Sequence, residues 1–409
     1  MAGLAVLGRI LDGTGSEPLA GVVLIDGGII SHVGPRETPP PPGYRVIDAG
    51  DRTVMPGLID AHVHLIGTRS LNLAQWAHDP VAVRAARVVA DCASLINAGF
   101  TTVRDAGGMG HLIKRVILEG EIRGPRILSA ALSLSQTGGH GDLRTLPLEQ
   151  SRQLGFLSRI CDGEDDCRKA AREQLREGAD FLKVMATGGV LGSAADTPKH
   201  AEFSTGELLA IVEEAERVGT HVAAHAHAAA GVNTALKAGI RTIEHGTLMD
   251  DESIELFLMK GAFLVPTLSI LHRMLLPEFA ASTPAWAVVK ARQILDTHHA
   301  NIMKAKKAGV RVIVGTDFAG GPQVPHGSNA LELELLVGLG FSPLEAIQAA
   351  TRVAADAIQL GDRLGTLEPG KYADLIVVDG DPLVDVTCLQ EASNIKLVLK
   401  NGEVEKSLL

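Results

Sequence analysis

The amino-acid sequence predicts an α/β fold, a (β/α)8 TIM barrel accompanied by a small β-sandwich domain that both chain ends build. Three observations lead to this prediction: eight short apolar runs rich in β-branched residues, helical patterns between most of them, and hairpin-like ends. Eight strand–helix units over roughly 300 residues suit a closed barrel, whose usual core has about 250 residues. An open doubly wound sheet is the alternative, but its glycine-rich phosphate loop is missing.

The eight runs that we expect to be barrel strands follow one another along the chain. They are GLIDAHVHL, FTTVRDAGG, RILSAALSLS, DFLKVMATGG, HVAAHAHA, TIEHGTL, FLVPTLS and VRVIVGTDFAG. Between them, segments such as VRAARVVADCASLINAG and GELLAIVEEAERVG carry apolar residues at three- and four-residue spacing, which is typical of amphipathic helices. The predicted barrel therefore covers residues 57–365.

Both chain ends predict hairpins rather than barrel units. The N-terminal end contains LAVLGRILDGTG, GVVLIDGGIISHVG and YRVIDAGDRTVMPG, and the C-terminal end contains TLEPGKYADLIVVDGDP and IKLVLKNGEVE. The Asn401-Gly402 pair is typical of a tight hairpin turn. Neither end has enough strands for a stable sheet alone. We therefore expect residues 1–56 and 366–409 to form one discontinuous β-sandwich domain.

The composition of the 409-residue chain narrows the function classes. A hydrophobic fraction of 46% is sufficient for one large core or two modest ones. A net charge of −10 without a Lys/Arg block argues against nucleic-acid and anionic-membrane partners. No apolar run reaches the roughly 18 residues that span a bilayer. In the first residues, MAGLAVLGRILDGTG, we expect neither a signal peptide nor a membrane anchor.

The four cysteines lack the close spacing of a zinc-binding pattern. They are Cys92, Cys161, Cys167 and Cys388. Cys161 and Cys167 bracket DGEDD, so a local disulfide is one interpretation. Free thiols in a reducing compartment are the favoured interpretation, and we therefore expect a cytoplasmic protein.

Metal-binding residue types collect near the carboxyl ends of five expected strands. They are His62, His64, Lys183, His225, His227, His245 and Asp317. Residues i and i+2 of a strand point to one face, so His62 and His64 can form a metal pincer. Taken alone, this pair is equally consistent with two satisfied core histidines. Barrel enzymes keep their chemistry at these strand ends, where randomly placed histidines would rarely collect, so the set favours a metal site.

The chemistry of these side chains fits a divalent metal. Neutral imidazoles and carboxylates suit zinc and similar ions. Lys183 lies in the apolar segment FLKVM, and burial drives a lysine towards its neutral amine. A neutral amine can add carbon dioxide to give a carbamate, an anionic group able to bridge two metals. The alternatives are a lysine that reaches the barrel rim or one that pairs with Asp317.

Five segments in chain order resemble the landmarks of the amidohydrolase superfamily over nearly the whole chain. They are MPGLIDAHVHL, FLKVMATGGV, HAHAAAGVNTALKAGIRTIEHG, GTDFAGG and LGTLEPGKYADLIVVDGDP. The resemblance implies a binuclear centre, most simply of zinc. The implied ligands are His62, His64 and Asp317 for the first ion, Lys183 as N6-carboxylysine for the bridge, and His225 and His245 for the second ion. His227 would then face the substrate.

Within the superfamily, VRDAGG and TGGHGD resemble the imidazolonepropionase-like branch, which includes Xaa-Pro dipeptidases, metal-dependent carboxypeptidases and ochratoxin-degrading amidohydrolases. Several of its peptidases have a tyrosine where this chain has His227, so the resemblance leaves the exact substrate open. Imidazolonepropionases usually lack the bridging lysine and bind one metal. Lys183 therefore argues against that activity.

The implied mechanism is attack of a metal-activated water on an amide carbonyl, with Asp317 as the catalytic proton acceptor. We expect three residues to bind the substrate: His140, His227 and Arg273. Arg144 and Lys199 are weaker candidates, and His326 is expected at the pocket mouth or exposed on a loop.

The leading function is hydrolysis of a peptide or N-acyl-amino-acid amide next to a free carboxylate, with a dipeptide or another small molecule as the substrate. A cyclic amidase or lactonase on the same centre is the second hypothesis. A non-catalytic amidohydrolase-like scaffold is the third, although all six ligand positions are filled. We also expect a homo-oligomer.

Overall fold

The computed structural model describes residues 3–70, 78–154, 158–280 and 283–409. Its strands are β1 Leu4–Ile10, β2 Leu19–Asp26, β3 Ile29–Pro35, β4 Arg45–Pro56, β5 Leu58–Val63, β6 Phe100–Asp105, β7 Arg126–Ser129, β8 Ser133–Ser135, β9 Ser158–Ile160, β10 Leu182–Met185, β11 Val222–Ala228, β12 Thr242–Leu248, β13 Phe263–Val265, β14 Arg311–Val312, β15 Leu375–Val378, β16 Ile395–Lys400 and β17 Glu403–Ser407. Its α-helices are α1 Val81–Asn97, α2 Gly110–Leu118, α3 Leu148–Leu154, α4 Glu164–Arg176, α5 Thr205–Arg217, α6 Ala229–Lys237, α7 Asp251–Lys260, α8 Leu268–Leu275, α9 Pro277–Ala280, α10 Ala285–Ala308, α11 Leu331–Gly338, α12 Pro343–Ala349 and α13 Arg352–Ala357. A 3-10 helix covers Val386–Leu389.

Strands from both chain ends form one seven-stranded sheet, which we call the terminal sheet. Its order is β17-β16-β15-β4-β1-β2-β3. Strand β4 joins the two ends, because it pairs parallel with β1 and antiparallel with β15. The predicted turn at Asn401 and Gly402 connects β16 to β17, with φ angles of 51° and 75° that these residue types tolerate. Both ends therefore contribute to one sheet domain.

The strands between the two ends form two parallel sheets. One has the order β5-β6-β7 and the other the order β14-β13-β12-β11-β10-β8-β9. On one side, the Ala61 N–H of β5 donates to the Val314 carbonyl, just beyond β14, at 2.9 Å. On the other side, the Asp180 N–H donates to the Ser129 carbonyl of β7 at 2.8 Å. This α/β arrangement brings the carboxyl ends of the parallel strands together.

The observed strands differ from the expected ones at four points. RILSAALSLS is split into β7 and β8, because Ala131 between them adopts a left-handed φ of 56°. In FLVPTLS the strand ends before Pro266, which has no N–H for the ladder, and α8 starts at Leu268. VRVIVGTDFAG contributes only the two-residue strand β14, and β9 was not expected at all.

The amphipathic helices bury one apolar face, and some of them begin at a side-chain cap. Helix α1 buries Val88, Cys92, Leu95 and Ile96, which share one face at three- and four-residue spacing. Helix α5 begins at a capping box in which Ser204 and Glu207 satisfy each other's backbone N–H groups. No helix in the described part of the chain is both long and apolar enough to cross a bilayer.

Two of the cysteines lie in contact. Cys161 follows β9, and Cys167 lies in the first turn of α4, with both side chains fully buried. Both are free thiols in the structure, and their Sγ atoms are 3.6 Å apart. The geometry matches the free-thiol interpretation.

Candidate metal centre

The first histidine pair of the sequence lies at the carboxyl end of β5. The Nδ1 atom of His62 lies 2.6 Å from Oε2 of Glu244, and Nδ1 of His64 lies 2.8 Å from the Gly107 carbonyl oxygen. A carboxylate and a carbonyl oxygen can only accept, so both Nδ1 atoms carry the hydrogen. Each imidazole therefore presents the lone pair of Nε2 on its opposite side, as a metal ligand does.

These lone pairs converge with a carboxylate. The Nε2 atoms of His62 and His64 are 3.4 Å apart. Oδ1 of Asp317 lies 3.4 Å from Nε2 of His62 and 3.2 Å from Nε2 of His64. Three acceptor atoms that face one another repel unless a positive charge lies between them. The residue set therefore fits a divalent cation, as the sequence predicts for His62, His64 and Asp317.

Three more imidazoles meet at the ends of β11 and β12. Nδ1 of His225 lies 2.9 Å from Nε2 of His245, and the His227 ring centroid is 4.7 Å from that of His225 and 4.6 Å from that of His245. Ligand atoms of all three lie within 4.8 Å of one another. Burial holds the pKa of His225 and of His245 well below the ordinary value, so both are neutral, the form that binds metal.

Lys183 on β10 lines the same cavity as these histidines. Its side chain is 1% exposed, which excludes the alternative of a lysine that reaches the barrel rim. Within the described residues, its Nζ has neither a hydrogen-bond partner nor the ion pair with Asp317 considered above. Burial lowers the pKa of Lys183 to about 8, so a larger fraction is neutral amine near neutral pH than for an ordinary lysine. An orphaned buried amine fits the carbamate, because conversion to an anionic ligand would give it partners.

The backbone itself turns at the strand ends that carry the site. His245, Thr267 and Asp317 have φ angles of 71°, 51° and 60°, in the left-handed region that residues other than glycine rarely adopt. Thr267 also supports the site directly, since its Oγ1 lies 2.7 Å from Nδ1 of His245. Such strain concentrates at functional sites, where the surrounding structure holds it in place.

A buried ion pair between Arg104 and Glu244 supports the ring of His62. Glu244 Oε1 accepts from Nη2 of Arg104 at 2.8 Å, while its Oε2 binds His62, and both charged side chains are fully buried. Burial alone would raise the pKa of Glu244, but the nearby charge of Arg104 and the hydrogen bond from His62 hold it well below its ordinary value. Glu244 was not predicted from the sequence, although it directly precedes the predicted ligand His245 in IEHG.

His140 lies against the second imidazole cluster. Its ring stacks on His225 at a centroid distance of 4.3 Å, and its Nδ1 lies 2.6 Å from Oδ2 of Asp196. Burial lowers the pKa of His140, but the hydrogen bond and charge of Asp196 outweigh it, so the net shift is upward. The cavity is lined by His140 and His227, two of the three predicted substrate-binding residues.

The third predicted substrate-binding residue, Arg273, does not line this cavity. Its Nε donates to the Gln323 carbonyl oxygen at 2.8 Å, and its guanidinium lies over the Phe279 ring at 4.7 Å. Arg144 and Lys199 do not line the cavity either. His326 is 6% exposed, with Nε2 3.3 Å from the His64 carbonyl oxygen, so the expectation of an exposed loop histidine was wrong.

One side of the cavity is an apolar wall. It consists of Ile66, Val190, Leu191, Ile270, Leu271 and Met274. The last three lie on α8, whose first two N–H groups donate to the buried carboxylate of Glu332 at 2.8 and 2.7 Å. The cavity therefore joins metal-ligand chemistry to a surface for an apolar substrate group.

Histidines and a carboxylate that converge at the carboxyl ends of parallel strands are typical of metal-binding enzymes built from β/α units. The model of the Amidohydrolase family matches residues 53–404, and the chain belongs to this family. Among curated relatives, ochratoxinase of Aspergillus niger is 36% identical over 98% of this chain and 85% of its own length. An imidazolonepropionase of Salinispora arenicola is 25% identical over 95% of this chain and 94% of its own length.

Solved structures agree with this placement. The Aspergillus niger ochratoxinase structure superposes with a TM-score of 0.92 at 33% identity, covering 99% of this chain and 96% of the other. A Xaa-Pro dipeptidase with bound methionine in its active site has a TM-score of 0.87 at 31% identity, covering 98% and 99%. The chain fits the imidazolonepropionase-like branch and is a hydrolase of amide bonds, in a family that is generally metal-dependent.

Proposed function

We propose that this enzyme uses two divalent metal ions to hydrolyse a peptide or N-acyl-amino-acid amide next to a free carboxylate. The similarity to an ochratoxinase, a Xaa-Pro dipeptidase and a prolidase crystallised with N-methylphosphonate-L-proline supports this substrate class. The observation that carries the metal part of the proposal is the convergence of three acceptor atoms from His62, His64 and Asp317.

The proposed ligands divide into two sets with one bridge. His62, His64 and Asp317 would hold one ion, His225 and His245 the other, and Lys183 as N6-carboxylysine would bridge them. Six ligand positions exceed the four that a single zinc needs, and the nitrogen and oxygen donors suit zinc. In forming the carbamate, Nζ bonds to the carbon of carbon dioxide and releases one proton.

The chain's own groups then carry the reaction. When bound, divalent ions lower the pKa of a water molecule towards neutrality and polarise a carbonyl group. Asp317 accepts the proton of the attacking water and delivers it to the leaving amine nitrogen as the C–N bond breaks. His140 and His227, which line the cavity, orient the substrate through its carboxylate or carbonyl. The apolar wall receives the side chain of the leaving amino acid.

Four further expectations extend this proposal beyond the site. The two parallel sheets would close into one (β/α)8 barrel over residues 57–365. The terminal sheet, from residues 1–56 and 366–409, would form a β-sandwich domain beside it. The bond between Ala61 and Val314 supports barrel closure. We also propose that the enzyme is a cytoplasmic homo-oligomer.

The substrate proposal is tested with purified, metal-loaded enzyme. A panel of dipeptides and N-acyl amino acids selects the best acid substrate, which is then compared with its C-terminal amide. A site built to pair a carboxylate leaves buried polar groups unpaired with the amide, so kcat/KM should fall by up to about 10⁴-fold. Equal kcat/KM for acid and amide would contradict the proposal and favour a cyclic amide or lactone substrate. Absence of hydrolysis throughout would favour the scaffold hypothesis.

A further inference from the structure

A loop after β10 contacts the ring of His140. Asp196 in this loop is 4% exposed, and its two carboxylate oxygens have different partners. Oδ2 lies 2.6 Å from Nδ1 of His140, and Oδ1 accepts from the Gly189 N–H at 3.0 Å. One carboxylate therefore fixes both the ring of His140 and the start of the loop that supplies Val190 and Leu191 to the apolar wall.

The ring of His140 is held on further sides. Its flat face stacks on His225 with an interplanar angle of 15°, and its backbone N–H donates to Oε1 of Glu202 at 2.8 Å. The loop backbone also lies against the ring, since a Cβ atom on Gly189 would come within 2.2 Å of Cε1 of His140. With Nδ1 engaged by Asp196, Nε2 is the ring nitrogen that remains for a substrate group.

Lys290 of helix α10 anchors this loop. Lys290 on α10 donates from Nζ to the Ser193 carbonyl oxygen at 2.7 Å and also to the carbonyl oxygen of Asp196. The Lys290 ammonium lies 4.7 Å from the centroid of the Trp286 ring, which supports it from the same helix. The backbone of Asp196 is therefore fixed independently of its bond to His140.

From these contacts we propose that Asp196 is a positioning residue for substrate recognition, acting through His140. Its carboxylate accepts from Nδ1–H and so fixes the direction of the ring, which leaves Nε2 as the ring nitrogen that contacts the substrate. This inference rests on the proposed function, because it requires His140 to contact the substrate. It assigns Asp196 no contact with substrate or metal.

The test compares Asp196→Ala and Asp196→Asn with a matched control. Asp374→Ala removes a carboxylate that is also 4% exposed and also bonded at 2.6 Å, but to Arg126 at the start of β7. We expect Asp196→Ala to raise KM for the acid substrate about 10- to 100-fold, the range for a lost hydrogen bond to a charged group. Its kcat and metal content should change little. Asp196→Asn, which retains an acceptor oxygen, should restore part of the loss, and Asp374→Ala should leave KM unchanged.

The outcomes separate the positioning role from the proposed function. Equal rates of the wild-type enzyme on acid and amide would contradict the carboxylate proposal, while a raised KM of Asp196→Ala on either substrate would still support positioning. An unchanged KM on both substrates overturns the positioning role, whatever the wild type prefers. A lower free energy of unfolding with an unchanged KM would show that Asp196 is only structural.

Discussion

The candidate metal centre and the terminal sheet differ in the kind of side chain that they bury. In the terminal sheet, the core cluster consists of aliphatic side chains such as Val6, Val377 and Leu399, all fully buried. At the site, buried positions hold imidazoles, carboxylates and the amine of Lys183, and the backbone adopts left-handed φ angles at His245 and elsewhere. The sheet minimises its free energy with apolar contacts, whereas the site keeps polar groups buried at a cost that bound metal would offset.

This contrast explains where the free energy of each region comes from. Burial of aliphatic groups stabilises the terminal sheet with or without a ligand. Lys183 contributes nothing of that kind, because its amine is desolvated without a partner in the described residues. Variants in the sheet should therefore change stability alone, and variants at the site should change metal binding and activity first.

The largest effect is expected for Lys183→Ala. If Lys183 is the carboxylated bridge, the enzyme should contain about two metal ions per chain, and the variant should bind less metal. Changes to outer-shell partners cost up to about 100-fold, and the loss of a direct ligand should cost kcat/KM at least as much. Acetate or propionate should restore part of the activity, because a free carboxylate can occupy the cavity and supply two bridging oxygens. Metal analysis and kinetics with added acids measure both effects.

The control for this variant is Lys169→Ala, which removes a lysine that is 71% exposed on α4. It should leave metal content and rate unchanged. Failure of any short acid to restore Lys183→Ala, together with a normal metal content, would show that Lys183 has a structural role. One metal ion per chain at full wild-type activity would contradict the binuclear centre.

The ligand positions of the metal centre could be predicted from the sequence, whereas the residues that support them could not, and the reason is physical. Spacing along a strand brings His62 and His64 to one face, and strand order brings His225, His245 and Asp317 to the same end, so these positions were predictable. Their supports were not. The bonds from Arg104 to Glu244 and from His140 to Asp196 join residues 140 and 56 positions apart, and no local pattern encodes such pairs.

Side chains outside the strands were the least predictable. His326 was expected at the mouth or in solvent, yet its loop folds back on the His64 backbone. Arg273 was expected at the substrate, but its position on α8 turns it towards Gln323 and Phe279 instead. Tertiary packing of α8 and of the loops decides both orientations, and sequence spacing carries no information about that packing.

The second largest effect is expected for Leu399→Ala in the terminal sheet. Leu399 is fully buried on β16 beside Leu375 of β15, so truncation leaves a cavity. The free energy of unfolding should fall by about 2–5 kcal/mol, as for other buried leucines. Denaturant unfolding measures this loss, and metal analysis should show no change. Val404→Ala, at a position 43% exposed on β17, is the matched control with a small expected effect. Loss of metal from Leu399→Ala would contradict the separation of the two regions.

The smallest effect is expected for Glu214→Gln. Glu214 is a buried charged group with hydrogen-bond partners, whereas the buried amine of Lys183 has none in the described residues. Glu214 accepts from Arg172 and Arg168 at 2.8 Å, and these bonds lower its pKa to about 2. Since this is below the ordinary value of 4.5, the contribution is complete above about pH 4.5 and is lost as the pH falls towards 2. Arg172 is 57% exposed, so solvent screens the pair and we expect a loss of about 1 kcal/mol at pH 7.

Denaturant unfolding of Glu214→Gln and the wild type at pH 7 and pH 3 should show a smaller difference in the free energy of unfolding at pH 3. The control Glu213→Gln, at a position 53% exposed, should show almost no difference. An equal loss at both pH values would assign the effect to packing, and the charge of Glu214 would then contribute nothing to the stability of the α4–α5 contact.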